Sequence, residues 1–363
     1  MELTEEKLLH ALSHVIDPDL KKDLVTLDMI RNIHISDDTA AFDVVLTTPA
    51  CPLKEIIKKD CEDKVQTYLG DIKTIINMTS NVTTQRDQGP ILPNVKNIIA
   101  VSSGKGGVGK STVASNLAVA LAQSGADVGL IDADIYGPSV PTMFNCEYEQ
   151  PGIVQEDGKN KIVPIEQYGV KLVSIGFLTN NDEAVVWRGP MASSAFKQFI
   201  GDAKWDYLDY LIIDLPPGTS DIHLTLVQTV PVTGAIVVTT PQKVALADAQ
   251  KGISMFRQPQ INVPILGLVE NMAWFTPEEL PNNKYFIFGE NGGARLAKKN
   301  KTKLLGQIPI VQSIREGGDI GYPAALKEGV VGNSFKELAE SVAQQVAIRN
   351  ATIEDTRKVE MTV

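Results

Sequence analysis

Three features that mark particular classes of protein are scarce in this sequence of 363 residues. It contains three cysteines, which is an odd number and too few for a disulfide framework, so free thiols are expected. No apolar run reaches the roughly 18 residues that a membrane-spanning helix needs. Acidic residues outnumber basic ones by 44 to 34, and the net charge of −10 argues against bulk binding to nucleic acid or to an anionic membrane.

The first residues, MELTEEKLLHALSHV, also lack the basic start and the apolar run of a secretory signal. Together with the free thiols, this pattern predicts a cytoplasmic protein. Hydrophobic residues make up 43% of the chain, which is enough for a packed core, and the length predicts two domains or three.

Residues 1–84 predict a small α+β domain. A helical pattern covers TEEKLLHALSHV, and the segments IRNIHIS and AAFDVVLT alternate like two strands on either side of a turn at Asp37 and Asp38. A second helix is expected from Pro52 onward, and IKTIINMTS predicts a third strand. The apolar face expected for the second helix comprises Leu53, Ile56, Ile57, Cys61, Val65, Tyr68 and Leu69.

A polar segment that contains two prolines, residues 85–96, predicts a linker, and the pattern changes after it. Short, unalternating apolar runs follow, among them NIIAVSS, VGLIDAD, YLIIDLPP, GAIVVTT and PILGLVEN. Helical patterns lie between them at 190–203, 243–257 and 289–300. Such strands separated by helices indicate a mostly parallel sheet covered by helices on both faces. The sequence therefore predicts an α/β domain over residues 97–350 and a flexible tail over 351–363.

The segment GKGGVGKST, after the first of these runs, fits the phosphate-loop pattern G-x-x-x-x-G-K-[ST]. Its glycines let backbone N–H groups turn towards phosphate oxygens, and the N-terminus of the following helix adds a partial positive charge. We expect Lys110 to reach the β- and γ-phosphates and Ser111 to bind Mg²⁺. The residues expected at the nucleotide are Gly104, Lys105, Gly106, Gly107, Val108, Gly109, Lys110, Ser111 and Thr112. A glycine-rich turn without a ligand is the alternative.

Three aspartates at the ends of predicted strands favour the nucleotide site. Asp214 ends LIIDLPPG, as a Walker-B carboxylate does, and Asp132 and Asp134 end LIDADIYG. The carboxyl ends of parallel strands face the ligand crevice. We expect Asp214 and Asp132 near the Mg²⁺, and Asp134 to orient the attacking water. Helix or turn capping is the alternative for the pair Asp132 and Asp134.

Lys105 is a second lysine in the same loop. Because the loop already wraps its own nucleotide, this side chain is poorly placed to fold back onto it. An outward Lys105 would reach the γ-phosphate held by a second subunit and act in trans, as an arginine finger does. Hydrolysis would then depend on dimerisation. A solvated surface lysine is the alternative.

The segment GKGGVGKST is similar to the deviant phosphate loop of the MinD/ParA/nitrogenase-iron-protein class, in which the extra lysine crosses the dimer. Within that class the chain resembles the Mrp/ApbC family of iron–sulfur cluster carrier ATPases. The segments that carry the resemblance are VSSGKGGVGKSTVASNLA, DADIYGPSVP, VWRGPM, LIIDLPPGTSDIHLTL, TTPQKVALADA and GLVENM. At the front, VIDPDL and LTTPACPL resemble the small iron–sulfur-assembly domain of bacterial members, so the resemblance covers almost the whole chain.

The resemblance implies a slow ATPase that forms a homodimer with two ATP molecules between the subunits. It makes Lys105 the lysine that crosses the dimer. It gives Lys110, Ser111, Asp134 and Asp214 the same roles as the residue pattern does. It also places Asn271 at the adenine edge and Pro309 beside the base. A strand-end cap is the alternative for Asn271.

One departure from the family concerns its cluster ligands. Family members usually carry a C-x-x-C motif shortly after ENM, and the motifs of two subunits would supply the four thiolates of a [4Fe–4S] cluster. This sequence has Thr276 and Pro277 in that region and no cysteine. Oxygen ligands match a cluster poorly, because clusters prefer soft thiolates.

Cys51 is the remaining candidate, because the N-terminus of the predicted helix after it lowers the pKa of a thiol. A buried or capping thiol is the alternative there. Cys61 is expected in the core, and Cys146 is expected to be an incidental surface thiol. One cysteine per subunit suits a [2Fe–2S] cluster, or a labile cluster completed by a small thiol.

Two functions therefore remain open. The first is an ATP-dependent carrier that transfers iron–sulfur clusters to client apoproteins. The second is a nucleotide-switched ATPase that binds a protein partner without any cluster. The tail ATIEDTRKVEMTV is neither strongly basic nor apolar on one face, and the net charge is negative, so membrane and DNA partners are not expected.

Overall fold

The computed structural model describes residues 3–86, 91–135, 137–156, 158–177, 189–219, 221–277, 280, 283–354 and 356. Its first domain is a three-stranded sheet in the order β1-β2-β3, with β1 and β2 antiparallel and β2 and β3 parallel. Two helices cover the inner face. The elements are α1 (Glu5–Leu12), β1 (Ile30–Ser36), β2 (Thr39–Leu46), α2 (Lys54–Leu69) and β3 (Lys73–Ser80).

Strand β2 alternates between buried and half-buried residues, which gives the sheet one inner face against the helices. The buried residues of α2 are Ile57, Cys61 and Val65. The predicted apolar face of this helix was too wide, because Ile56 is 51% exposed and Tyr68 is 41% exposed. A helix on one side of a small sheet buries only a narrow stripe, and the margins of that stripe face solvent.

The second domain contains an eight-stranded sheet in the order β13-β12-β11-β4-β10-β5-β9-β8. Every adjacent pair is parallel except β8 with β9, so the predicted mostly parallel sheet is confirmed. The elements of the first half are β4 (Val95–Ser103), α3 (Lys110–Gln123), β5 (Val128–Asp132), α4 (Val140–Met143), β6 (Ile153–Glu156), β7 (Lys159–Ile162), β8 (Ile165–Gln167), β9 (Val170–Ser174) and α5 (Gly189–Asp202). Those of the second half are β10 (Leu208–Asp214), α6 (Asp221–Thr229), β11 (Gly234–Thr239), α7 (Lys243–Phe256), β12 (Ile265–Phe275), α8 (Gly292–Lys299), β13 (Leu304–Ile310), α9 (Gln312–Ile320) and α10 (Val330–Thr352).

Helices cover both faces of this sheet, as predicted. In β4, Ile99 and Val101 belong to a core shared with α3 and α10, whereas Ile98 and Ala100 belong to a core shared with α5 and α6. Successive side chains of a strand point to opposite faces, so a central strand buried on both faces is apolar at nearly every position. This explains the unalternating runs in the sequence.

The boundaries of the domains differ slightly from the predicted ones. Strand β4 begins at Val95, inside the predicted linker. Residues 87–90 of that linker and residues 357–363 of the predicted tail lie outside the described residues. The start of the predicted tail belongs to α10, and the Thr356 N–H donates to the Gln85 carbonyl at 2.9 Å. Strands β6 to β9 and helix α9 were not predicted from the sequence.

The two domains pack against each other through polar and apolar contacts. The Tyr210 hydroxyl donates to Thr48 Oγ1 at 3.1 Å, and both residues are buried. Gln344 Nε2 donates to both carboxylate oxygens of Asp19, at 2.8 and 2.9 Å. Ala50 of the small domain belongs to the core formed by α3 and α10. Within the described residues, no helix is both long and apolar enough to cross a membrane.

Candidate functional site

The phosphate loop connects the end of β4 to the start of α3 at the carboxyl edge of the sheet. Gly107 and Gly109 have positive φ angles of 79° and 77°, which favour glycine. Gly104 faces the backbone of α7 so closely that an added Cβ would lie 2.1 Å from the carbonyl carbon of Asp248. The glycines that the sequence pattern requires are thus also required by backbone conformation and by packing.

Lys110 is the centre of a buried charge cluster. Its Nζ lies 2.6 Å from Asp214 Oδ1 and 3.7 Å from Asp134 Oδ2, and it donates to Ser111 Oγ at 3.2 Å. The side chain of Lys110 is 6% exposed and that of Asp214 is fully buried. The structure thus brings together the four residues expected to act on phosphate, Mg²⁺ and water. Their individual roles stay predictions.

Asp132 lies beside Asp214 in register on the neighbouring strand. Burial, and next the negative charge of Asp214, raises the pKa of Asp132 to about 7. Its Oδ2 accepts hydrogen bonds from the Val140 N–H and the Ser174 hydroxyl, both at 3.1 Å, and its Oδ1 accepts one from the Asp134 N–H at 3.2 Å. These bonds hold the start of the loop after β5. The predicted contact of Asp132 with Mg²⁺ stays a prediction.

Two oxygens in this cluster suit a hard cation. Asp214 Oδ2 is buried and accepts no hydrogen bond from the described residues, and the Ser111 hydroxyl lies next to Lys110 Nζ. Within the described part of the chain, no three His, Cys, Asp or Glu side chains converge on a metal site. Mg²⁺ typically takes one or two carboxylates together with phosphate oxygens and water, so these residues fit Mg²⁺ that arrives with a nucleotide.

A groove of about 460 Å³ continues from the phosphate loop along the edge of the sheet. Gly109 and Thr112 of the loop and α3 line this groove, together with Asn271 and Pro309 of β12 and β13. Asn271 Nδ2 donates to the Val108 carbonyl at 2.9 Å, so this residue also supports the loop. Helix α9, which no sequence pattern predicted, forms a further wall of the groove with Ile314 and Arg315 among other residues.

Lys105 is half-buried, whereas Lys110 of the same loop is buried. Its carbonyl accepts a hydrogen bond from the Ser103 hydroxyl at 2.9 Å, and no ion pair joins Lys105 to another described residue. Gly106 and Gly107 beside it are exposed. A contact of Lys105 with a second subunit stays a prediction.

The three cysteines differ in burial. Cys61 is fully buried in the core of the small domain, as predicted, and burial raises its pKa to about 12. The prediction of a surface thiol at Cys146 is wrong. Cys146 is 2% exposed, packs in the core shared with α3, and donates from Sγ to the Pro141 carbonyl at 3.5 Å. Its pKa is raised to about 12, again by burial.

Cys51 is half-buried in the turn before α2. The prediction that the helix N-terminus lowers its pKa is wrong, because burial raises that pKa by more than the backbone N–H of Leu53 lowers it. The residue lines a cleft of about 600 Å³ between the two domains, where it faces α10 and the end of α3. It remains the most accessible of the three thiols.

The region after Asn271 holds no cysteine. Strand β12 continues to Phe275, whose N–H and carbonyl pair with Tyr285 at 2.9 and 2.8 Å. Lys284 Nζ lies 3.9 Å from the centre of the Trp274 ring. An antiparallel bridge therefore joins Phe275 to Tyr285, beside the contact of Lys284 with Trp274.

The fold and the charge cluster define the class of this protein as a P-loop NTPase with a parallel α/β sheet. The chain belongs to the ParA family of NUBPL iron-transfer P-loop NTPases, whose model matches residues 94–347. A second model, described as an iron–sulfur cluster assembly protein, matches residues 5–76. The resemblance identified from the sequence is thereby confirmed.

Similar proteins extend over both domains. An iron–sulfur cluster carrier protein of Synechocystis sp. is 46% identical over 95% of this chain and 99% of its own length. One of Deinococcus radiodurans is 46% identical over 95% of this chain and 96% of its own. Among solved structures, a nucleotide-binding protein of Archaeoglobus fulgidus in complex with ADP is 36% identical, with a TM-score of 0.57 over 68% of this chain and 95% of its own.

Proposed function

We propose that this protein is an ATP-dependent carrier that binds iron–sulfur clusters and transfers them to client apoproteins. The observation that carries the proposal is the similarity to iron–sulfur cluster carrier proteins along nearly the whole chain, small domain included. Its location in the cytoplasm stays a prediction from the sequence.

The nucleotide in this proposal is ATP, bound along the loop and the 460 Å³ groove. Lys110 binds the β- and γ-phosphates, Asp134 orients the attacking water, and Asn271 and Pro309 receive the adenine. Ser111 and Asp214 hold Mg²⁺, with Asp132 behind them. When bound, the cation neutralises charge that develops on the phosphates. The buried ion pair of Lys110 with Asp214 supports this assignment, because it places the lysine at the phosphate-binding edge.

Hydrolysis takes place in a homodimer in this proposal. Lys105 of one subunit completes the phosphate site of the other, in the way an arginine finger does. Its greater exposure than Lys110, and its place outside the ion-pair cluster of Lys110, support an outward role. ATP binding closes the dimer, and hydrolysis opens it.

The cargo is proposed to bind at Cys51. Cys61 and Cys146 are buried, whereas Cys51 lies at the wall of an interdomain cleft. Two subunits would supply two thiolates, so a cluster needs further ligands from a small thiol or from the client. This arrangement suits a transfer site better than a storage site.

The test is anaerobic reconstitution of the purified protein with iron and sulfide. We expect a thiolate-to-iron absorption band that Cys51→Ser abolishes and that the matched variant Cys146→Ser retains. Metal and sulfide analysis gives the stoichiometry. A colourless wild-type protein would reject the carrier function and leave the nucleotide-switched partner-binding ATPase. A band that persists in Cys51→Ser would reject Cys51 as the ligand.

A further inference from the structure

Two elements that form the nucleotide site extend to the cleft at Cys51. Helix α3 begins with Lys110 and Ser111 and has 14 residues, so it spans about 21 Å. At its far end, Ala120, Gln123 and Ser124 line the Cys51 cleft. Helix α9, which forms a wall of the groove, leads into a short 3₁₀ helix, Ala324–Leu326, and then to Lys327 and Glu328. Residues 325–328 line the same cleft.

Asn116 joins these two elements between the sites. It is 5% exposed, its Nδ2 donates to the Thr112 carbonyl at 2.8 Å, and its Oδ1 accepts from the Ala325 N–H at 2.8 Å. Thr112 lines the nucleotide groove and Ala325 lines the cleft. A single buried amide therefore bonds to one residue of each site.

Lys327 makes a second connection. Its Nζ donates to the Ser313 carbonyl at 3.0 Å, in the first turn of α9, directly before the groove residue Ile314. Its backbone is tight against α10, since a Cβ at Gly332 would lie 1.8 Å from the Lys327 carbonyl oxygen. The Lys327 backbone is therefore packed against α10, while its side chain is bonded to α9, so a shift of α9 acts on this side chain at the edge of the cleft.

We propose that occupancy of the nucleotide groove is transmitted through Asn116 and Lys327 to the cleft at Cys51 and opens it. A nucleotide held between Asn271 and α9 draws α9 inward. The Lys327 side chain follows α9 and moves out of the cleft, which exposes the thiol. The inference rests on the proposed function for the nature of both sites, and it names the regulation of the cargo site by ATP.

The experiment is alkylation of native protein by a maleimide, with and without saturating Mg²⁺ and a non-hydrolysable ATP analogue. Cys61 and Cys146 are buried, so peptide mass spectrometry reads the rate at Cys51. We expect the analogue to raise this rate at least about fivefold, the lower range of allosteric coupling. A rate within about twofold of the free protein at saturation, or a lower rate, overturns the proposal.

Matched variants test the path. Lys327→Met keeps the aliphatic stem and removes the bond to Ser313, so the response should fall to less than about twofold while the analogue still binds. Lys336→Met changes an exposed lysine of α10 that lines the same cleft, and should keep the full response. Asn116→Ala should act like Lys327→Met. A full response in both Lys327→Met and Asn116→Ala rejects the path.

The outcome is separate from that of the cluster experiment. Alkylation needs no iron, so a nucleotide response in a protein that stays colourless on reconstitution would keep this coupling and reject the cargo. If a cluster binds but the alkylation rate does not respond to nucleotide, the cargo site is kept and this coupling is rejected.

Discussion

The proposed nucleotide site and the proposed cargo site differ in how many charged or ligating side chains they bring together. At the carboxyl edge of the sheet, Lys110 Nζ lies within 4 Å of a carboxylate oxygen of Asp214 and of one of Asp134. The side chains of all three residues are mostly buried. At the proposed cargo site one half-buried thiol, Cys51, stands at the wall of an open cleft.

The difference follows from what each site has to do. Phosphoryl transfer depends on fixed charges aimed at the phosphates, so its residues are held by strands and by a helix N-terminus. A site that gives up its cargo needs few and exchangeable ligands. After Asn271 this chain carries aromatic residues and no cysteine, whereas the phosphate-loop pattern before α3 is complete.

The largest effect is expected for Lys105→Ala, which tests whether a second subunit completes the nucleotide site. A cation supplied in trans contributes about 10³-fold or more to such reactions, so ATP turnover should fall by at least about 10³-fold, with loss of ATP-dependent dimers. Turnover and sedimentation with ATP measure both effects. Lys251→Ala, at an exposed lysine of α7, is the control. Undiminished turnover and pairing would show that Lys105 is only a solvated surface residue.

The next largest effect is expected for Lys110→Ala. Turnover should fall by about 10²-fold, the scale for loss of one charge-stabilising donor. The variant should also lose about 3–5 kcal/mol of stability, because Asp214 stays buried without its partner. The double variant Lys110→Ala/Asp214→Asn should regain stability in denaturant unfolding without regaining turnover. Wild-type stability in the single variant would mean that the ion pair is not buried in solution.

The same contrast separates what the sequence predicts from what it does not. Glycine spacing and the ends of apolar strands predict the nucleotide edge, because parallel strands bring their carboxyl ends together. Burial of a single polar residue has no such signal. Cys146 follows an irregular segment, yet it packs against α3, and desolvation at Cys51 outweighs the helix N-terminus. The bond from Ala325 to Asn116 joins residues 209 positions apart, which no local pattern indicates.

A smaller effect is expected for Asn271→Ala, which tests whether the groove is a base site. Asn271 Nδ2 lies so close to the loop that a Cβ on Gly109 would come within 2.2 Å of it. Loss of a buried amide of this kind should weaken ATP binding by about tenfold, or about 1.4 kcal/mol. Calorimetric titration with ATP and GTP measures it, and the preference for ATP should shrink. Unchanged affinity and preference would leave Asn271 as a strand-end cap.

The smallest effect concerns the cargo side, where the three thiols should differ in reactivity. Burial raises the pKa of Cys51 above that of an ordinary thiol, so less thiolate is present at neutral pH, and its alkylation rate should keep rising at higher pH than in the unfolded chain. Cys61 and Cys146, with pKa values of about 12, should react only when the protein unfolds. Rates from pH 6 to about 10 by peptide mass spectrometry check this order. A Cys51 that titrates below the unfolded chain would mean that the helix N-terminus dominates after all, and that the cargo thiol is poised as a thiolate.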